Sequence, residues 1–194
     1  MTQVLSSTPA PAGATTLWQL DPSHSEAGFA VRHLMIATVR GRFSDIQGTI
    51  TVAGDDFRTA TVDVTIGTAS VDTREPRRDE HLRSADFFDA ARFPAMTFTS
   101  REVVARDRGY TIAGALTIRG VTRPVSFEVT DEGRVRDPWG GERAGFSARA
   151  VINRQDFGLT WNAALEAGGV LVGDEVKISV DLELVKAVPA TAAA

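Results

Sequence analysis

The stretch VKISVDLELV, residues 176–185, alternates apolar and polar side chains almost throughout its length. Valine, isoleucine and leucine occupy the even positions, whereas lysine, serine, aspartate and glutamate occupy positions 177, 179, 181 and 183. Successive side chains of a β-strand point to opposite faces, so this stretch predicts a strand with one buried and one solvated face. Such alternation is typical of antiparallel sheets.

The same period of two recurs along most of the chain. The longer stretches that share it are residues 27–33, 45–52, 59–67, 110–118, 125–130 and 145–153, and the shorter ones are residues 17–21, 38–43 and 96–100. Turns rich in Gly, Pro and Asp separate these stretches. Many short strands separated by turns predict an all-β sandwich or barrel.

One segment departs from this period. Residues 72–88, DTREPRRDEHLRSADFF, are highly charged and compatible with a helix. Asp72 and Glu75 have the spacing of a capping box, and Pro76 is tolerated in a first helical turn. The segment therefore predicts one short, solvated helix that caps an end of the barrel.

Composition limits the function classes. The chain has 194 residues, a net charge of −4 and no cysteine, which argues against nucleic acid as the main partner and excludes disulfides and thiolate chemistry. No apolar run reaches the ~18 residues of a membrane-spanning helix, and the N-terminus lacks a signal-peptide pattern. We expect a soluble, cytoplasmic protein with one domain over residues 17–186 and disordered tails at residues 1–16 and 187–194.

The inner faces of the predicted strands are apolar, and several of their residues are small. Gly48, Ala60, Gly114, Ala148 and Ala150 all fall on these faces. An eight-stranded barrel with such a lining either fills its interior with side chains or holds one ligand. The pattern alone favours neither outcome.

Four segments together resemble a known family. They are WQLDPSHSEAGFAVRHLMIATVRGRF from residue 18, SVDT with RDEHLRSADFFDAARFPAMTF from residue 70, GALTIRGVTRPVSFEV from residue 114, and INRQDFGLTWNAALEAGGVLVGDEVKISVDLEL from residue 152. In this order and spacing they are similar to the YceI-like, polyisoprenoid-binding family. The resemblance covers most of the chain.

The resemblance implies a lipocalin-like, extended antiparallel β-barrel of about eight strands with a small helix at one end. Members carry a long amphiphilic isoprenoid in an apolar pore, often pair as homodimers and in many cases are periplasmic. We therefore expect a non-catalytic protein that carries or sequesters an isoprenoid or similar lipid, with no resident cofactor or metal. The residues predicted to contact this lipid are Phe29, Val31, His33, Phe43, Ile50, Val62, Val64, Ile66, Phe98, Ile112, Leu116, Phe127, Phe146, Phe157, Trp161 and Ile178.

The histidines leave alternatives open. His24 and Asp21 lie in a DPSH turn, which side-chain hydrogen bonds are expected to organise, and no HxH or HxxxH metal pattern accompanies them. His33 points inward and is either a structural core histidine or a polar contact for the head of a ligand. It is also the candidate acid–base group if the protein is an enzyme or redox partner acting on an isoprenoid-quinone-like substrate.

The arginines offer several candidates for a head-group site, because guanidinium groups match the oxygens of phosphate and carboxylate. The helix carries Arg77, Arg78 and Arg83 around His81, and this set is either a solvated face or a basic collar. Other candidates near strand ends are Arg40, Arg42, Arg119 and Arg123. A third function class is a barrel with a filled core that acts through its surface as a stress-linked interaction partner.

Overall fold

Antiparallel β-structure makes up most of the chain, as the period of two predicts. The structure is a computed structural model that describes residues 15–164 and 170–187. Its strands are β1 (Thr15–Leu20), β2 (Glu26–His33), β3 (Ala37–Phe43), β4 (Ile46–Ala53), β5 (Asp56–Gly67), β6 (Val71–Asp72), β7 (Ala95–Arg106), β8 (Gly109–Ile118), β9 (Val121–Arg136), β10 (Glu142–Asn153) and β11 (Val172–Lys186), and its helix is α1 (Pro76–Arg83). Short 3₁₀ turns cover Thr68–Ser70 and Arg154–Phe157.

Eight of these strands close into a barrel. Their order is β1, β4, β5, β7, β8, β9, β10 and β11, and β11 pairs back with β1. Trp18 lies opposite Lys186 and Leu20 opposite Leu184 in this closing pair. Every pairing in the ring is antiparallel. The predicted eight-stranded barrel is therefore confirmed.

The remaining strands lengthen the wall at one end. One end of β11 pairs with β1 and the other with β2, where Ile178 lies opposite Phe29. The wall then continues from β2 to β3 and on to the two-residue strand β6. The long strand β11 thus joins the closed ring to an extension that surrounds one end of the interior.

The turn between β1 and β2 lets the chain change neighbours along β11. The N–H of Ser23 donates to Asp21 Oδ1 at 2.9 Å, and His24 Nδ1 lies 3.1 Å from Asp21 Oδ2. These contacts confirm that Asp21 and His24 organise a turn. Residues 1–14 and 188–194 of the predicted tails lie outside the described residues, whereas Thr15 and Thr16 belong to β1.

Helix α1 lies at the extended end and begins differently from the prediction. Glu75 is itself the N-cap, and its carboxylate accepts hydrogen bonds from the N–H groups of Arg77 and Arg78. The predicted capping box of Asp72 and Glu75 is therefore wrong, because Asp72 instead accepts from the N–H of Arg74 at 2.8 Å. The helix is anchored by Asp79, which is buried and accepts from the N–H and hydroxyl of Thr73.

Candidate functional site

The interior of the barrel is hollow. A cavity of about 480 Å³ extends from the closed ring to the end that α1 covers. Ligand pockets in proteins commonly measure about 300–1,000 Å³. Side chains on the inner faces therefore surround a space rather than filling it, which answers the question that the sequence pattern leaves open.

The walls of the cavity are apolar, and most of the residues predicted to contact a lipid form part of them. The structure brings fifteen of the sixteen together along the cavity: Phe29, Val31, His33, Phe43, Ile50, Val62, Val64, Ile66, Phe98, Ile112, Leu116, Phe127, Phe146, Trp161 and Ile178. Ligand contact by these residues stays a prediction.

Phe157 is the exception. Its side chain is 1 % exposed and packs in a core cluster with Phe43 and Val71, outside the cavity lining. It belongs to the 3₁₀ turn Arg154–Phe157 rather than to a strand, so strand alternation does not fix its direction. Its placement among the lining residues is therefore corrected.

Aromatic packing closes one end of the cavity. The ring centroids of Trp18 and Phe57 lie 5.4 Å apart, and those of Phe57 and Phe146 lie 5.0 Å apart. The guanidinium of Arg134 lies 4.4 Å from the ring centroid of Phe57. Tyr110 also contributes to this end of the lining, and burial raises the pKa of its hydroxyl. Aromatic rings therefore pack together at this end of the barrel.

The opposite end forms the mouth. The titratable residues of the cavity lining, apart from Tyr110, are Arg32, His33, Arg77, Arg78, His81 and Arg154. No aspartate or glutamate of residues 15–164 and 170–187 belongs to the lining. The side chains of Arg32 and Arg77 line the cavity and are also exposed to solvent, so the cavity reaches the surface beside them. The mouth is therefore basic.

Arg154 holds the loop at the mouth in place, and its role escapes sequence analysis. The side chain is 4 % exposed. Its guanidinium donates to the carbonyls of Leu159, Trp161 (2.9 Å), Val172 (3.3 Å) and Gly173 (2.9 Å) and to Asp174 Oδ1 (3.0 Å). No sequence motif identifies an arginine whose carbonyl partners lie in two separate segments, because these segments come together only in the folded protein.

Helix α1 meets this loop through aromatic contacts. The ring of His81 lies 4.7 Å from that of Trp161 and 5.1 Å from that of Phe87, in both cases edge to face. His81 Nε2 also lies 2.8 Å from Asp86 Oδ2. His81 is thus part of the mouth and does not belong only to a solvated helical face.

Most of the other arginines considered for a collar are structural. Arg42 pairs with Glu26 and Asp72 on the outside of the barrel. The guanidinium groups of three others donate to backbone carbonyls: Arg83 to Ala69 and Val71, Arg119 to Gly158 and Ala85, and Arg123 to Asp156. Arg40 is exposed and does not line the cavity. The collar is therefore reduced to the arginines at the mouth.

One polar cluster lies away from the cavity. Asp21, His24 and Glu183 have ligand atoms within 4.8 Å of one another. The guanidinium of Arg143 already bonds to Asp21 at 3.0 Å and to Glu183, and hydrogen bonds from His24 and Arg143 lower the pKa of Asp21 to about 2. The cluster is therefore an ion-pair network built around a cation of the protein itself.

The geometry defines a class of protein: a closed antiparallel β-barrel with an apolar internal cavity and a basic mouth. A family model for the YceI-like domain matches residues 18–184, and the chain therefore belongs to the YceI-like family. Within the described part of the chain, no helix is long and apolar enough to cross a membrane.

Relatives and solved structures agree with this assignment. Protein YceI of Salmonella newport is 44% identical over 137 residues, which are 71% of this chain and 72% of the relative. The YceI protein of Campylobacter jejuni is 30% identical with a TM-score of 0.69, over 81% of this chain and 90% of that one. A polyisoprenoid binding domain from Saccharophagus degradans shares the fold at 15% identity, with a TM-score of 0.66 over 88% of this chain and 98% of that domain.

Proposed function

We propose that the protein binds a long-chain isoprenoid or similar amphiphilic lipid in its cavity and carries or sequesters it without chemical change. The observation that carries this proposal is the cavity of about 480 Å³, whose walls are apolar and whose charged groups gather at one end. The solved domain from Saccharophagus degradans, described as polyisoprenoid binding, supports it. The homodimer and the cytoplasmic location stay predictions.

Apolar burial alone gives a lipid sufficient affinity. At about 0.3 kcal/mol per non-hydrogen atom, a chain of about forty carbons gains roughly 12 kcal/mol, which corresponds to a nanomolar dissociation constant. A hydrogen bond at the mouth adds only about 1 kcal/mol. The polar groups therefore orient the lipid, and the walls provide the affinity.

Native mass spectrometry of the purified protein, followed by extraction into organic solvent, tests the proposal directly. We expect a mass increment above that of the polypeptide and an extracted lipid of roughly thirty to fifty carbons, because a chain of that length gains enough apolar burial to stay bound through purification. A protein that carries nothing, and that takes up no isoprenoid when refolded with it, would contradict the proposal and favour a barrel that acts through its surface.

His33 distinguishes a carrier from an enzyme. It lines the cavity, and no hydrogen bond from its side chain to another described residue is present. A carrier needs no acid–base group, so we expect His33→Ala to change the amount of extracted lipid less than about twofold. The extraction is run on both proteins, and the lipid is compared before and after incubation. Chemical conversion of the lipid by the wild type, lost in His33→Ala, would instead identify an enzyme.

A further inference from the structure

The turn between β2 and β3 has a conformation that its residues do not favour. Leu34 and Met35 both have positive φ angles, 51° and 59°, and the N–H of Ile36 donates to the carbonyl of His33 at 3.1 Å. A β-turn whose two central residues both have positive φ strongly prefers Asn-Gly, because a side chain in the left-handed region clashes with the backbone. Folding alone therefore does not explain two large apolar residues here.

These residues belong to an exposed apolar surface. Ile36 is 80% exposed, Met35 56% and Val170 38%. The N–H of Leu34 donates to the carbonyl of Leu171 at 2.9 Å, which holds Val170 and Leu171 beside the turn. We name Met35, Ile36 and Val170 the apolar rim.

The apolar rim adjoins the mouth of the cavity. Arg32 and His33, which precede the turn, line the cavity, and so do Leu171 and Val172, which follow Val170. His33 and Val172 are partners across the sheet. Two segments therefore pass directly from cavity lining to exposed apolar side chains.

The charge at this end favours an anionic partner. Arg32 and Arg77 are exposed at the mouth, and neither has a carboxylate partner within residues 15–164 and 170–187. The guanidinium of Arg32 donates to the carbonyl of Met35 at 2.6 Å and to the hydroxyl of Thr38 at 3.2 Å. At the opposite end, Arg136, Arg143 and Lys186 are each paired with carboxylates. Basic groups around exposed apolar side chains are typical of surfaces that bind anionic membranes.

We propose that the apolar rim inserts into the surface of an anionic phospholipid membrane, so that the mouth of the cavity opens onto the lipid. Arg32 and Arg77 contact phosphate groups while Met35 and Ile36 enter the acyl boundary. A lipid can then pass between membrane and cavity without exposing its chain to water. This inference rests on the proposed lipid cargo, because only a lipid carrier needs such a contact.

Sedimentation with vesicles tests the proposal. We expect the wild type to bind vesicles of phosphatidylglycerol and phosphatidylcholine, to bind phosphatidylcholine alone more weakly, and to dissociate as salt shortens the range of the arginine charges. The double variant Met35→Ser/Ile36→Ser should bind at least about tenfold more weakly, because it loses most of the inserted apolar area. A wild type that ignores both vesicles would overturn the proposal.

Trp139 provides a matched control. Trp139 is 86% exposed and precedes the first residue of β10. The mouth residue Arg154 follows the last residue of the same strand, so the length of β10 places Trp139 roughly 40 Å from the mouth. Trp139→Ser should therefore bind vesicles like the wild type. If Trp139→Ser lost as much vesicle binding as Met35→Ser/Ile36→Ser, the apolar rim would be rejected as the specific contact.

A second variant separates docking from folding. Leu34→Asn/Met35→Gly supplies the residues that the turn prefers, so we expect a higher melting temperature together with weaker vesicle binding. A lower melting temperature would assign these residues a structural role instead. Lipid extracted from each preparation provides an independent readout: a wild type that binds vesicles but contains no lipid refutes the cargo alone, whereas a lipid-loaded wild type that ignores vesicles refutes only the docking.

Discussion

Replacing Ala148 with tryptophan is expected to remove most of the bound lipid while the barrel stays folded. Ala148 lies on β10 with its side chain toward the cavity, between Val129 of β9 and Val180 of β11. An indole ring at this position occupies the middle of the hollow and competes directly with a lipid chain. We expect at least about a tenfold decrease in extracted lipid, because several methylene groups lose their place at about 0.8 kcal/mol each.

The same strand supplies the control for this experiment. Val151 is three residues away, so its side chain points to the other face, and it is 59% exposed. Val151→Trp should retain wild-type amounts of lipid. The melting temperature of Ala148→Trp adds a second readout, since an added ring destabilises a filled core by about 1–3 kcal/mol or more but fits into a hollow. Full lipid retention in Ala148→Trp would show that the lipid does not occupy the cavity.

The alternation in the sequence predicts the walls of the cavity because a strand assigns every second residue to one face. Once residues 176–185 are assigned to a strand, the inward direction of Ile178 follows, and the same reasoning applies to Phe29, Val62 and Ile112 on other strands. Each of them lines the cavity. Strand geometry alone thus accounts for the correct placement of these four residues, whereas Trp161 lines the cavity from outside the strands.

Features that depend on how distant segments meet are not predictable in this way. Phe157 lies in a 3₁₀ turn, where no period of two applies. Glu75 caps the helix because its backbone is still extended, with φ −142° and ψ 102°, and its carboxylate accepts from the N–H groups of Arg77 and Arg78. The existence of the cavity depends on the distance between opposite walls of the barrel. The circumference of the closed ring sets this distance, and the alternation along each strand does not reveal it.

Loss of the Arg154 side chain is expected to destabilise the fold strongly. Replacing it with alanine removes the donor to the carbonyls of Leu159, Trp161 and Gly173, whereas the carbonyl of Val172 keeps the amide of Asn162 at 2.7 Å. Buried polar groups that lose a charged partner typically destabilise a protein by about 3–5 kcal/mol. For a chain of this length each kcal/mol lowers the melting temperature by about 2–4 °C, so we expect a decrease of roughly 10 °C in thermal unfolding monitored by circular dichroism.

Arg149 distinguishes this effect from a simple loss of charge. It lies on β10 like Ala148 and is exposed, so Arg149→Ala should change the melting temperature by no more than about 2 °C. Arg154→Lys keeps the charge but lacks the planar guanidinium, whose several N–H groups donate to two segments at once. It should therefore be nearly as unstable as the alanine variant. An Arg154→Lys protein as stable as the wild type would mean that charge at the mouth, rather than the hydrogen bonds to its carbonyls, holds the loop against α1.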